Sequence, residues 1–289
     1  MSDKITIKEV IGDGFDFLKS SETLDDLKHE MLEAYSNSTE YIEEPIVVYE
    51  DSEGEIWELV ISIDVVKQPP EHYEGEILLT KKNAKKYVKN PEQGLWKYTS
   101  IEDDSAEILA EYKGELILGI TELSDATAES LSKHQGDLSL GNLTELSDTV
   151  AESLSKHEDE LHLSLDELSD AAAEILSNHK GELSLAGDME ELSDTASESL
   201  SKHQGGLSLS ISELSNKAAE SLSKLNGNLH FENLEELSNK AAESLSKLNG
   251  NLDFEFLQEL SDAAAKSLSK HKGKINDMDP KEWVESLKD

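Results

Sequence analysis

Beyond about residue 75 the apolar positions follow two periods in alternation. A short period-two stretch, such as Leu138 and Leu140 in DLSLGNL, is followed by apolar residues spaced three and four apart. The first pattern predicts a strand with one buried face, and the second a helix with one buried face. The pair recurs. LSD or LSN tripeptides start at Leu123, Leu146, Leu168, Leu192, Leu214, Leu237 and Leu260, in steps of 22 to 24 residues. Weaker copies start at Ile101 and Leu79.

Counted from the tripeptide leucine, the apolar columns fall at offsets 0, 4, 8 and 11, as in Leu168, Ala172, Leu176 and His179. That spacing predicts a helix of roughly three turns. Ser169 and Asp170 stand where an N-cap belongs. Gly181 stands where a left-handed C-cap residue belongs. The glycine recurs as Gly114, Gly136, Gly205, Gly227, Gly250 and Gly273, and gives way to Asp159 in one copy. One such unit cannot bury its own apolar stripe, whereas a stack of units can. Strands repeat at about 4.8 Å and helices pack at about 8–10 Å. The stack therefore bends, with strands on the concave side and helices outside.

The pattern LxLxxLxxLSDxAAExLSKHxG, read over Leu138–Asp159 and Leu161–Gly181, resembles leucine-rich repeats, nearest to their bacterial BspA-like class. The resemblance spans about residues 75–278. It departs from that family after the strand, where an asparagine ladder is usual and this chain has Asn142 and Asn233 but Ser164 and Ser210. It also departs in its alanine-rich helical segment. The resemblance implies an α/β fold, a curved right-handed strand-helix solenoid, and a binding scaffold in place of an enzyme.

Two columns carry titratable groups. Offset 11 holds His134, His157, His179, His203 and His271, with Leu225, Leu248 and Tyr112 in other copies. A column that accepts leucine faces the core, so these are expected to be half-buried packing residues, and a stack of them is a candidate pH response. Offset 2 holds Asp103, Asp125, Asp148, Asp170, Asp194 and Asp262, with Asn216 and Asn239 in the same column. Aspartate and asparagine are equivalent caps and inequivalent calcium ligands, so capping is the expected role.

Residues 1–70 do not repeat. KITIKEVI alternates as a strand, TLDDLKHEMLEAY reads as an amphipathic helix, and EPIVVYEDSEGEIWELVISIDVV reads as a hairpin turning at DSEG. They predict a small α+β domain of order β-α-β-β, joined at Pro69-Pro70 to a solenoid over 71–278. Residues 279–289 read as a capping helix, with Asp279 as N-cap, Pro280 at the first position and Trp283, Val284 and Leu287 over the open core. Both ends are closed, so a monomer is expected.

The formal net charge is -37, there is no cysteine, and all 26 basic residues are lysine. Disulfides, thiolate metal sites and a cysteine nucleophile are excluded. The charge opposes nucleic acid and anionic membrane and favours a basic partner. No signal peptide and no run long enough to span a bilayer is read, so a cytoplasmic location is expected. Outward-facing strand positions are the candidate partner site: Ser139, His162, Ser184, Ser208, His230 and Asp253. Glu115, Asp137, Glu160 and Glu182 form an acidic rim before the strands. The face is expected to be polar and nearly free of aromatics. A basic patch at Lys81, Lys82, Lys85, Lys86 and Lys89 is a second candidate, for an acidic partner or a solvated capping helix. No residue is assigned catalytic, cofactor or metal chemistry. The sequence reads as a non-catalytic protein-recognition scaffold. Two alternatives are an enzymatic or regulatory module in the first domain targeted by the repeats, and an acidic decoy of a nucleic-acid-binding surface.

Overall fold

The computed structural model describes residues 5–11, 23–37, 46–61, 65–68, 75–91 and 94–287, which excludes the Pro69-Pro70 joint. The chain divides into two compact units, Met1–Ile77 and Leu78–Asp289. In the first, β1 (Thr6–Ile11), β2 (Ile46–Glu50), β3 (Ile56–Ile61) and β4 (Val65–Gln68) form an antiparallel sheet in sequence order. The expected hairpin is β2–β3, and β4 is a further strand beyond it. Helix α1 (Leu24–Asn37) places Leu27 and Met31 against Val47, Tyr49 and Leu59. Asp51 organises the hairpin turn. Its carboxylate accepts from the backbone N–H of Glu53 and Glu55 at 2.8 and 3.1 Å and from the Trp57 indole at 3.0 Å.

The second unit alternates strand and helix. It runs β5 (Leu78–Leu79), α2 (Lys81–Lys89), β6 (Ser100–Ile101), α3 (Asp103–Leu109), β7 (Leu116–Ile117), α4 (Asp125–Leu131), β8 (Leu138–Leu140) and α5 (Asp148–Leu154). It continues through β9 (Leu161–Ser164), α6 (Asp170–Leu176), β10 (Leu183–Met189), α7 (Asp194–Leu200), β11 (Leu207–Ile211) and α8 (Asn216–Leu222). It ends with β12 (Leu229–Phe231), α9 (Asn239–Leu245), β13 (Leu252–Phe254), α10 (Asp262–Leu268) and α11 (Pro280–Ser286). Strands β7 to β13 form one parallel sheet in sequence order, each strand one repeat from the next. Equivalent leucines pair in register, as Leu138 with Leu161, Leu161 with Leu183 and Leu183 with Leu207. This is the repeating strand-helix stack that the two periods predicted.

The helices are shorter than expected. Each from α3 to α10 has seven residues, about two turns. The serine at offset 1 adopts extended backbone and its hydroxyl accepts the N–H three residues on, as Ser169 does from Ala172 at 3.0 Å. The helix therefore starts only at offset 2, and the tripeptide leucine lies before it. Past Leu176 the turn tightens to three-residue bonds, with the His179 N–H donating to the Leu176 carbonyl at 2.9 Å.

Serine, not aspartate, is thus the cap. The offset-2 column does something else. Its side-chain oxygen accepts a hydrogen bond from the capping serine of the next coil: Ser124 to Asp103 at 2.6 Å, Ser193 to Asp170, Ser215 to Asp194 at 3.3 Å, Ser238 to Asn216 at 2.6 Å and Ser261 to Asn239. An acceptor is all that is required, which explains why asparagine serves as well as aspartate.

Most of the glycine column does not hold left-handed caps. Only Gly114 and Gly136 in it have positive φ (156° and 128°); Gly181, Gly205, Gly227, Gly250 and Gly273 do not. A Cβ at Gly227 would stand 2.0 Å from the Gly205 carbonyl oxygen, and one at Gly250 1.9 Å from that of Gly227. Successive coils touch backbone to backbone here, and glycine is selected by lack of space. Where Asp159 replaces it, the carboxylate accepts the Gly136 N–H at 2.8 Å.

At the C-terminal end leucine gives way to phenylalanine in the core column. Phe231 stacks on Phe254 at 5.6 Å, and Phe254 on Trp283 of α11 at 5.7 Å. Trp283 and Val284 are buried. Asp279 caps α11 by accepting the Lys281 N–H at 2.9 Å. Among the described residues no helix is long and apolar enough to cross a membrane.

Candidate functional site

The outward positions of the parallel sheet form one column. Ile117 pairs with Ser139, Ser139 with His162, His162 with Ser184, Ser184 with Ser208, Ser208 with His230 and His230 with Asp253. Beside it runs the pre-strand column, Glu115, Asp137, Glu160 and Glu182, followed by Gly206, Asn228, Asn251 and Lys274. Its backbone continues the ladder. The carbonyls of Asp137, Glu160 and Glu182 accept the N–H groups of Leu116, Leu138 and Leu161, each at 2.9 Å. The four carboxylates are thereby set about one strand spacing apart, ~4.8 Å.

Two adjoining hollows lie on this face. One of about 410 Å³ is lined by Glu160, His162, Glu182, Ser184, Ser208, Asn228, His230, Glu232 and Asp253. The other, about 190 Å³, is lined by Glu115, Asp137, Ser139, Glu160 and His162. All ten candidate partner-site residues line one or both, so the sheet brings them together. Burial, then the neighbouring Asp137 and Glu182 carboxylates, hold the Glu160 carboxyl above its usual range. Burial does the same to Asp253, with Asp277 adding and His230 opposing. Among the described residues, none of the four rim carboxylates has an ion-pair partner.

Two lining groups, Glu232 and Asn228, and the neighbouring Glu255 are not among the residues the sequence predicts. Glu232 accepts the Ser208 hydroxyl at 2.8 Å, Glu255 lies 4.0 Å from the His230 ring, and Asn228 accepts the Asn251 N–H at 3.0 Å. All lie just outside the two-leucine alternation. An aromatic is present too. Leu95 bridges to Leu118, which puts Trp96 one coil before Gly119, and its indole lies over Gly94. Trp96 is 51% exposed and Ile117 48%. The expected polar face therefore has an apolar patch at its N-terminal edge.

His162 Nδ1 and the Ser184 hydroxyl are 2.9 Å apart. A nucleophile-base pair needs a third group to orient the base. Among the described residues no carboxylate hydrogen-bonds the other nitrogen of that ring. Nor do the described residues hold a group of three or more metal-ligating side chains.

The lysines of α2 are exposed along one side, while Asn83 and Ala84 are buried. Lys81 is tied to Asp104 of α3 at 2.6 Å, and that hydrogen bond and charge hold its ammonium above the ordinary range. Lys82, Lys85, Lys86 and Lys89 share the helix, on a coil whose other face packs on α3.

The offset-11 histidines are fully buried, not half-buried: His134 3%, His157 0%, His179 1%, His203 0% exposed. Successive rings of the column lie 6.1–6.2 Å apart from His134 to His203, closer than packed helix axes at about 8–10 Å. The rings sit beyond the helix ends, in the turn segment that follows strand spacing more closely. No known family model matches the chain, and no curated protein matches it.

Proposed function

We propose that the parallel-sheet face over residues 115–253 docks a protein partner that presents basic side chains, and that the chain is a non-catalytic recognition scaffold. The observation that carries this reading is the row of four carboxylates, unpaired among the described residues and set in register beside a hollow. Like charges ~4.8 Å apart repel, and a cationic surface relieves that repulsion. Trp96 and Ile117 give the same face an apolar anchor, the kind of residue on which interface energy concentrates. Nucleic acid is disfavoured by the same row.

The reading keeps the leucine-rich-repeat likeness, with a curved right-handed solenoid whose concave side is this sheet. The mismatch between strand and helix spacing supports the curvature. A cytoplasmic monomer is the working state. The test is capture from cell lysate on the immobilised full chain at low and high salt, beside a variant carrying Glu115→Gln, Asp137→Asn, Glu160→Gln and Glu182→Gln. A protein held by the wild type at low salt, released at high salt and missed by the variant supports the reading. Equal retention by the variant overturns it.

A further inference from the structure

His134, His157, His179 and His203 form a continuous pile of imidazoles inside the stack. Successive ring centroids are 6.1, 6.2 and 6.1 Å apart, and the planes agree within 3°, 6° and 2°. Tyr112 continues the pile at one end, 6.4 Å from His134, and Leu225 follows at the other. The rings share their pocket with the glycine column: a Cβ at Gly205 would lie 2.8 Å from His203 Nε2. His134 Nε2 reaches the Gly114 carbonyl oxygen at 2.7 Å. Neither ring nitrogen of His157, His179 or His203 has a hydrogen-bond partner of normal geometry.

A neutral imidazole brings one N–H donor and one acceptor nitrogen there and no charge, a smaller cost than an ion. An imidazolium carries a charge and two N–H donors into a buried site where, at His157, His179 and His203, neither donor closes a hydrogen bond of normal geometry, with the next ring about 6 Å away. We propose that this pile is an acid-triggered opening device, in which protonation pries apart the coils of α4 to α7 together while the leucine-filled coils of α8 and α9 stay closed. The same coils carry Ser139, His162 and Ser184, so opening dismantles the hollows. The device stands whether or not the sheet face binds a partner.

The groups that face the pile fix the pH window. Burial, then the charges of His203 and His157, hold His179 down to about 4. Burial and then His134 lower His157, with Asp159 opposing. Burial lowers His203. Backbone groups of Gly136 and Glu160 at His157, Glu182 and Asp159 at His179, and Gly206, Ser177, Gly181 and His179 at His203 favour the charged form, without closing normal hydrogen bonds. Lys133, Lys156 and Lys202, next to the histidines in sequence, are exposed. His157, His179 and His203 each have a lower pKa folded than unfolded, so the unfolded state binds more protons below about 6.5. Stability is intact above pH 7 and is lost as pH falls from about 6.5 towards 4. Each unit of depression is a tenfold change in the opening equilibrium, so the depression at His179, to which His203 and His157 contribute, amounts to roughly three-hundredfold once pH has fallen to about 4. Protonating carboxylates in a chain of charge -37 relieves repulsion and acts in the opposite direction.

The column itself supplies the control, because Leu225 and Leu248 already occupy it, each 1% exposed. The full-length wild type, a His134→Leu, His157→Leu, His179→Leu, His203→Leu variant, and His179→Leu alone are melted between pH 7.5 and 4.5. Hydrogen exchange, corrected for its intrinsic pH dependence, locates the opening. The melting temperature of the wild type is expected to fall steeply below pH 6.5, that of His179→Leu less, and that of the fourfold variant least. Amides of α4 to α7 lose protection in the wild type at pH 5 while those of α8 and α9 keep it. Should the fourfold variant fail to fold, the single variant decides alone. An acid response as steep in the variants as in the wild type, or opening that begins outside α4 to α7, overturns the proposal.

Discussion

Replacing Gly227 by alanine separates two explanations of the glycine column by the sign of the effect. Gly227 does not have positive φ, so its backbone is one that alanine can adopt. Were it only a flexible turn residue, alanine would stabilise by about 0.4–1 kcal/mol through the unfolded chain. But the added Cβ meets the Gly205 carbonyl oxygen at 2.0 Å, its carbon at 2.7 Å and the Gly206 nitrogen at 3.3 Å. These are backbone atoms of the preceding coil, fixed by the ladder in which Leu183 and Leu207 donate to Gly206 and Asn228. Contact at ordinary van der Waals distance requires the coils to part by more than an ångström, and overpacking of this kind costs about 1–3 kcal/mol, occasionally more. For a unit of this size that is a fall in melting temperature of about 2–12 °C. Gly141→Ala is the control, since its Cβ meets only the Ser139 hydroxyl oxygen, at 3.9 Å. Thermal unfolding followed by circular dichroism reads both. Hydrogen exchange should place the Gly227→Ala loss in β11 and β12. A Gly227→Ala protein that melts at or above the wild-type temperature refutes the close-approach account, as does an equal loss in Gly141→Ala.

Other variants test the remaining columns. Asn216→Asp should leave stability nearly unchanged, while Asn216→Ala, which strips the acceptor from the Ser238 hydroxyl, should cost about 1 kcal/mol in urea unfolding. Phe254→Ala should cost about 3–5 kcal/mol and red-shift tryptophan emission, because Trp283 loses the ring it stacks on. Glu160→Gln should raise the melting temperature slightly at pH 7. The folded carboxyl holds its proton to higher pH than the unfolded one, so its contribution to stability falls as pH rises through the folded value, and the amide removes that fall.

The stack was legible because its columns repeat. Seven near-copies give each offset several independent votes: leucine is constant at offset 8, small or branched residues such as Thr127, Val150 and Ala172 share offset 4, and leucine and phenylalanine interchange in the strand column. What the copies could not reveal is distance between coils. A left-handed cap and a backbone contact both select glycine, and only the 2 Å approach at Gly227 separates them. The Asp/Asn column looked like a cap for the same reason: within one unit an oxygen at offset 2 sits at the helix start, and its partner, the next serine, belongs to another unit. Offset 0 looked helical because Leu168 stands four residues before Ala172, although the cap at Ser169 stops the helix short of it. The strand-face residues followed from alternation alone. Glu232 and Trp96 did not, because each lies one position past the last alternating residue, and Trp96 sits in a degraded copy whose alignment rests on Leu95 standing one repeat before Leu118.

The most direct measurement of the sheet-face reading is zero-length carbodiimide cross-linking of the full chain to the protein it captures at low salt, with the joined carboxylates mapped by mass spectrometry. Cross-links from Glu115, Asp137, Glu160, Glu182 and Glu232 to partner lysines are the predicted result. Cross-links confined to helix-side carboxylates such as Glu129, Glu152 and Glu198 would contradict it.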